Sequence, residues 1–159
     1  MLYSIGIDPS LTATGIVIVN SSCETVKQHL IHTEADCYIC PQQRLQDIMT
    51  DLITIIKDYN IGIVNIEGLS YNSTSTSFQE RCGLYFMITT YFFNKDINFI
   101  ITPPRSLKKL IAGNGNASKE QMIEVVQGKY NQNMNNDDNL CDAYGLARVG
   151  WETIYGRQK

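Results

Sequence analysis

The stretch LYSIGIDPSLTATGIVIVN, residues 2–20, decides how the rest of the chain is read. Residues 2–7 form a short apolar run that stops at Asp8, and residues 15–20 resume as a Val/Ile run, the composition of strands. The intervening segment, 9–14, is small, rigid and polar, so the two runs make a hairpin whose turn opens on a carboxylate. A third strand is expected at 25–31, after the polar turn 20–23. Three sequential strands with short links imply an antiparallel meander.

Beyond the meander the periodicity changes. From 42 to 59, Leu45, Ile48, Met49, Leu52, Ile55 and Ile56 recur at three and four, which predicts an amphipathic helix. Residues 62–66 are apolar except for Asn65 and deliver Glu67 at their end, as in a strand buried on both faces beside a crossover helix. The segment 71–77 is a polar Ser/Thr/Asn loop, followed by a helix over 78–93, a strand over 98–102 and a break at Pro103–Pro104. A short helix at 105–111 ends at 113–116. Ser118 opens the next as a capping box with Gln121, and a polar loop at 131–136 leads into a last helix over 138–155. The pattern predicts an α/β fold: one domain over 1–159, with a mixed sheet, an antiparallel meander plus parallel strands, flanked by helices.

At 159 residues, a chain of this size buries roughly 70% of its unfolded surface, enough for a core without covalent staples. No apolar run reaches the ~20 residues of a membrane span, and the start lacks a basic leader, so the expected location is the cytoplasm. Five scattered cysteines suit reduced thiols. His29, His32, Cys37 and Cys40 spell H-x2-H-x4-C-x2-C, a zinc-like spacing, yet histidines three apart on a strand face opposite sides. The competing reading is a strand followed by a loop.

A net charge of −3 and a pI near 5.3 argue against broad electrostatic attraction to nucleic acid. The distribution argues otherwise. Residues 97–136 carry five bases, Arg105, Lys108, Lys109, Lys119 and Lys129, against Glu120 and Glu124, a local charge of +3. The acids that matter lie elsewhere: Asp8 closes the first strand, Glu67 closes the fourth, and Asp138 and Asp142 stand one turn apart on the last helix. If the first and fourth strands are parallel neighbours, their ends fall side by side. Gathered carboxylates repel, so such a cluster holds hard divalent cations or shares a proton. Singly, each reads equally as a surface acid or a helix cap.

Taken together, these segments resemble the RuvC Holliday-junction resolvases, particularly bacteriophage-borne members. The likeness rests on Ile5-Gly6-Ile7-Asp8-Pro9-Ser10 with Thr14-Gly15, on Val64-Asn65-Ile66-Glu67, on Leu107-Lys108 with Gly113-Asn114-Gly115 and Ala117-Ser118-Lys119, and on Asp142-Ala143. It implies a ribonuclease H-like fold, a homodimer, branched DNA as partner, and two Mg²⁺ ions per site, with Mn²⁺ able to substitute. It further implies cleavage leaving 5′-phosphate and 3′-hydroxyl ends. By position, Asp8 would bridge both ions, Glu67 would hold one and the acids of the last helix the other. Lys108 and Lys119 match basic positions near the scissile phosphate, and Arg105 belongs to the same basic stretch.

The chain departs from the family pattern at two places. Where sequence-selective members carry a stacking aromatic, this chain has Ser70, with Tyr71 adjacent as a substitute, so recognition is expected to rest on phosphates and junction shape. Where many members carry an acid three before the terminal aspartate, this chain has Asn139, with Asp138 just before it. Alternatives remain open at this stage: a non-catalytic junction-binding protein, a ribonuclease on structured RNA, or half of an actin-like sugar kinase, whose first phosphate loop resembles residues 6–15.

Overall fold

The computed structural model describes residues 1–69 and 77–156. Strands β1 (Tyr3–Asp8), β2 (Ala13–Val19) and β3 (Thr25–His32) form the expected antiparallel meander. On the other side of β1, β4 (Ile61–Glu67) runs parallel to it, and β5 (Phe99–Thr102) runs parallel to β4. The sheet order is β3-β2-β1-β4-β5, which puts β1 at the centre.

Period-two alternation divides the molecule into two cores. Ile5 and Ile7 of β1, Ile16 and Ile18 of β2, and Val64 and Ile66 of β4 point to one face. There they meet Ile48 and Leu52 of α1 (Pro41–Ile56) and Leu84, Ile88 and Phe92 of α2 (Phe78–Asn94). The opposite face carries Val17 and Val19 and is covered by α3 (Pro104–Ala112), α4 (Lys119–Gly128) and α5 (Asp138–Tyr155). Leu107, Ile111, Met122, Tyr144 and Leu146 fill that side. Each such side chain, fully buried, stabilises by about 1.5–3 kcal/mol.

Helix α5 lies unusually close to the sheet because two glycines let it. A Cβ on Gly6 would lie 1.9 Å from the carbonyl oxygen of Ala143, and one on Gly15 would lie 2.4 Å from that of Asn139. Two polar side chains then fasten the helix. Ser4 Oγ donates to the Ala147 carbonyl at 2.7 Å, and Asn65 Nδ2 donates to that of Leu146 at 3.0 Å. Asn65, the one polar residue in its apolar strand, also accepts from Thr102 Oγ1 at 2.9 Å, so its burial is compensated.

Some boundaries differ from those the sequence suggests. Pro41 takes the first turn of α1, where its missing N–H costs nothing, and the helix stops at Ile56; Tyr59 lies beyond it, edge-on to Tyr3 at 5.2 Å. A 3₁₀ turn, Ala35–Cys37, follows β3. His29, His32, Cys37 and Cys40 are all exposed, and among the described residues no three His, Cys, Asp or Glu side chains enclose a metal position, so the zinc-like spacing builds no site. Within the described residues, no helix is long and apolar enough to cross a membrane.

Candidate active site

The alternation that sorts the core also aims the acids. Ser4, Gly6 and Asp8 share the α5 face of β1, and Asn65 and Glu67 share the α5 face of β4. Because Ile7 pairs with Ile66 in a parallel register, the two strand ends stop together and Asp8 stands beside Glu67. Asp142 arrives from above, on the turn of α5 that Gly6 admits. Of the four acids that the sequence groups, Asp8, Glu67, Asp138 and Asp142, the structure brings Asp8, Glu67 and Asp142 to this point.

Their environment is hostile to charge. Asp8 is buried, and that burial, followed by the charges of Glu67 and Asp142, holds its carboxyl well above the usual carboxylate range. Its side chain is hydrogen-bonded to Glu67. Burial, then the charge of Asp142, pushes Glu67 up to about 7, while the bond from Asp8 and the charge of Lys108 pull it back. Burial also raises Asp142 to about 6, against the opposing pull of Lys108. Burial and mutual repulsion thus favour the protonated, proton-sharing form of the cluster over three full charges.

Asp138 belongs to the same field, since its charge acts on both Asp8 and Asp142. It does not cap α5. That role falls to Asp137, whose Oδ1 accepts from the Leu140 N–H at 3.0 Å and leaves Asp138 in the first turn, ion-paired with Lys119. The Asp138 hydrogen bond and charge raise the Lys119 ammonium above its ordinary value. The Asn139 backbone packs against Gly15 of β2, its carbonyl oxygen 2.4 Å from where a Cβ on that glycine would sit.

Lys108, on α3, and Lys119, at the start of α4, flank the acids from the basic stretch, and both lower Asp142. Arg105 is exposed and donates Nη2 to Asn116 Oδ1 at 3.1 Å, on the loop between α3 and α4 rather than at the acids. Tyr71 and Ser70 lie outside the described residues.

The donor set suits a hard cation. Asp142 Oδ1 is buried and, among the described residues, has no hydrogen-bond partner, so a lone pair is left to accept from a ligand. The acids do not yet enclose a point: Asp8 is engaged by Glu67 and Asp138 by Lys119.

One supporting residue escaped the sequence reading. Arg44 is buried, donating Nη2 to the carbonyls of Leu11 at 2.8 Å and Thr33 at 3.1 Å, and Nε to Thr33 Oγ1 at 2.9 Å. It clamps the hairpin turn that follows Asp8. The signal was its position four before Ile48 on the apolar stripe of α1, where a charge must find partners inside.

A mixed five-stranded sheet with acids at the ends of its first and fourth strands and on its last helix is the plan of a ribonuclease H-like nuclease. Residues 4–149 match the family model described as Crossover junction endodeoxyribonuclease RuvC, and the chain belongs to that family. The crossover junction endodeoxyribonuclease RuvC of Brachyspira hyodysenteriae is 30% identical over 152 residues, 92% of this chain and 91% of that one. In fold, the chain is similar to Thermus thermophilus RuvC, with a TM-score of 0.78 at 18% identity over 98% of this chain and 96% of that one. The structure of the T. thermophilus protein in complex with Holliday junction substrate gives the same TM-score.

Proposed function

We propose that this protein is a magnesium-dependent, structure-selective DNA endonuclease that cuts Holliday junctions and other branched DNA, leaving 5′-phosphate and 3′-hydroxyl ends. The observation that carries the reading is the convergence of Asp8, Glu67 and Asp142 in one largely buried cluster, with Asp142 Oδ1 unpartnered among the described residues. A protein gains nothing in stability from such a cluster; a cation-binding site requires it.

In this reading Asp8, Glu67, Asp138 and Asp142 would together hold the divalent ions. Once bound, the ions supply Lewis-acid activation of the attacking water and charge stabilisation at the leaving oxygen. The protein's own groups do the rest. Lys108 and Lys119 hold the phosphates of the strand at the acids, and Lys119 is free to do so once Asp138 turns from it. Because burial and mutual repulsion favour the protonated form of the Asp8–Glu67 pair, cation binding would be accompanied by loss of its proton. The close seat of α5 on Gly6 keeps Asp142 within reach of Asp8.

A homodimer is part of the proposal. Helix α2 buries Leu84, Ile88 and Phe92 yet leaves Phe86 62% and Phe93 73% exposed, so it is apolar on both sides. A second copy of the chain covering these aromatics would place two active sites on one junction. Light scattering of the wild type and of Phe86→Glu tests this, with loss of the dimer expected in the variant.

The deciding assay is cleavage of a synthetic four-way junction with and without magnesium, using the wild type and Asp8→Asn. Expected is magnesium-dependent cutting that Asp8→Asn abolishes while junction binding persists. Cutting by Asp8→Asn at the wild-type rate would overturn the assignment.

A further inference from the structure

Helix α2 contains only two charged residues, Glu80 and Arg81, within FQERCGLYFMITTYFFN. Nε and Nη2 of Arg81 are buried and, among the described residues, have no hydrogen-bond partner. Among the described residues the ion pairs are Lys119–Asp138 and Arg148–Glu152, so no carboxylate answers this guanidinium. Its Cζ lies 5.8 Å from the ring centroid of Phe78, a contact that supports the flat face of the group and does nothing for its N–H edge. Donors buried without acceptors are rare in native proteins, because each forfeits its hydration without return.

The location gives the arrangement a purpose. Arg81 lines a cavity of about 90 Å³ together with Pro9, Glu67, Gly68 and Leu84. Two of those, Pro9 and Gly68, directly follow Asp8 and Glu67 in the chain. At ~30 Å³ per water, the space is that of about three waters, far below a nucleobase or drug-sized site but suited to a tetrahedral anion. The arginine fork matches a phosphate with two parallel donors. Arg81 as a whole is only partly buried, so its long side chain can turn outward, and it breaks no bond from Nε or Nη2 in doing so.

We propose that Arg81 is a phosphate-binding residue for the nuclease reaction. Its Nε–Nη2 edge takes one non-scissile phosphodiester of the strand being cut, adjacent to the phosphate held at the acids and on the α2 side of them. Lys108 and Lys119 approach from α3 and α4, so the strand is gripped from both sides of the Asp8–Glu67 pair. This inference rests on the DNA-cleaving reading above.

The test uses four-way junctions carrying a single neutral methylphosphonate, moved one position at a time past the cut, with wild type, Arg81→Gln and Arg81→Lys. Single-turnover cleavage in magnesium and junction binding in calcium across a salt series are measured. Wild type is expected to lose at least about tenfold in rate at one position flanking the cut, and Arg81→Gln to be indifferent to that position, the signature of a coupled pair. Arg81→Gln lowers the salt slope by about one contact, and Arg81→Lys restores the slope but not the rate. Should Arg81→Gln fold poorly, the wild-type scan and Arg81→Lys still decide. If wild type cuts but no flanking methylphosphonate slows it, or if Arg81→Gln keeps the wild-type profile and slope, the Arg81 proposal fails alone. If wild type leaves junctions uncut in magnesium, the nuclease reading fails first.

Discussion

Replacing Glu67 by Gln should stabilise the cation-free protein, and increasingly so as pH rises. The carboxyl moves from an ordinary 4.5 to about 7 on folding, chiefly because burial disfavours its charge. The folded state therefore binds the proton more tightly than the unfolded chain, and between those two values it holds more protons. By linkage, stability is fully present below about pH 4.5, falls as pH rises, and stops falling above about pH 7. Forcing the charge costs the folded state about 3 kcal/mol, an upper figure that belongs to the Asp8–Glu67 pair because the two share the proton. Glu67→Gln removes this carboxylate and its repulsion of Asp8, leaving only the burial of Asp8 itself. Urea unfolding in EDTA, from about pH 4 to about pH 8, should show the variant and wild type converging at the acid end and the variant ahead at the other by up to ~3 kcal/mol. That is a rise of roughly 6–12 °C in Tm for a chain this long. Magnesium should raise the wild type toward the variant by binding the folded state only. Parallel pH profiles for the two proteins in EDTA would refute the reasoning, because the burial of Glu67 would then not be what the cluster costs.

Three further outcomes follow from the geometry. Asp138→Asn should lower magnesium-dependent cleavage at least about tenfold, ~1.4 kcal/mol of barrier, with Asn139→Ala costing far less; the reverse ranking would make the amide the ligand. Gly6→Ala drives a Cβ into the Ala143 carbonyl, and is expected to cost about 3 kcal/mol in urea unfolding and most of the activity as α5 lifts Asp142 away; a stable, active variant would show that α5 is not held there. Lys108→Ala or Lys119→Ala should weaken binding to every branched DNA alike and reduce its salt slope by about one unit, measured by titration with monovalent salt; a loss confined to one sequence would contradict a phosphate contact.

Much of this was legible in the chain. Apolar runs of period two and stripes of period three to four are local properties, so the meander, the buried fourth strand and the five α-helices of the described residues could be read with ends misplaced by a few residues, as at Pro41 and Tyr59. Asp8 and Glu67 announced themselves because each follows an apolar run directly, and a strand that ends on a carboxylate aims it by simple alternation. Asp142 was legible as the acid that opens an apolar stretch of the last helix. What the chain could not disclose is which acid does which job on α5. Asp137, Asp138 and Asn139 are consecutive, and only the path by which the backbone enters the helix makes the first a cap, turns the second to Lys119 and lays the third against Gly15. Nor could composition distinguish Arg44, whose guanidinium meets carbonyls of the β1–β2 turn and of the residue after β3, from Arg81, whose buried donors meet no acceptor among the described residues. Hydrophobic patterning acts through nearest neighbours and is written along the chain; the partner of a buried polar group lies tens of residues away, and only the packed structure decides whether it has one.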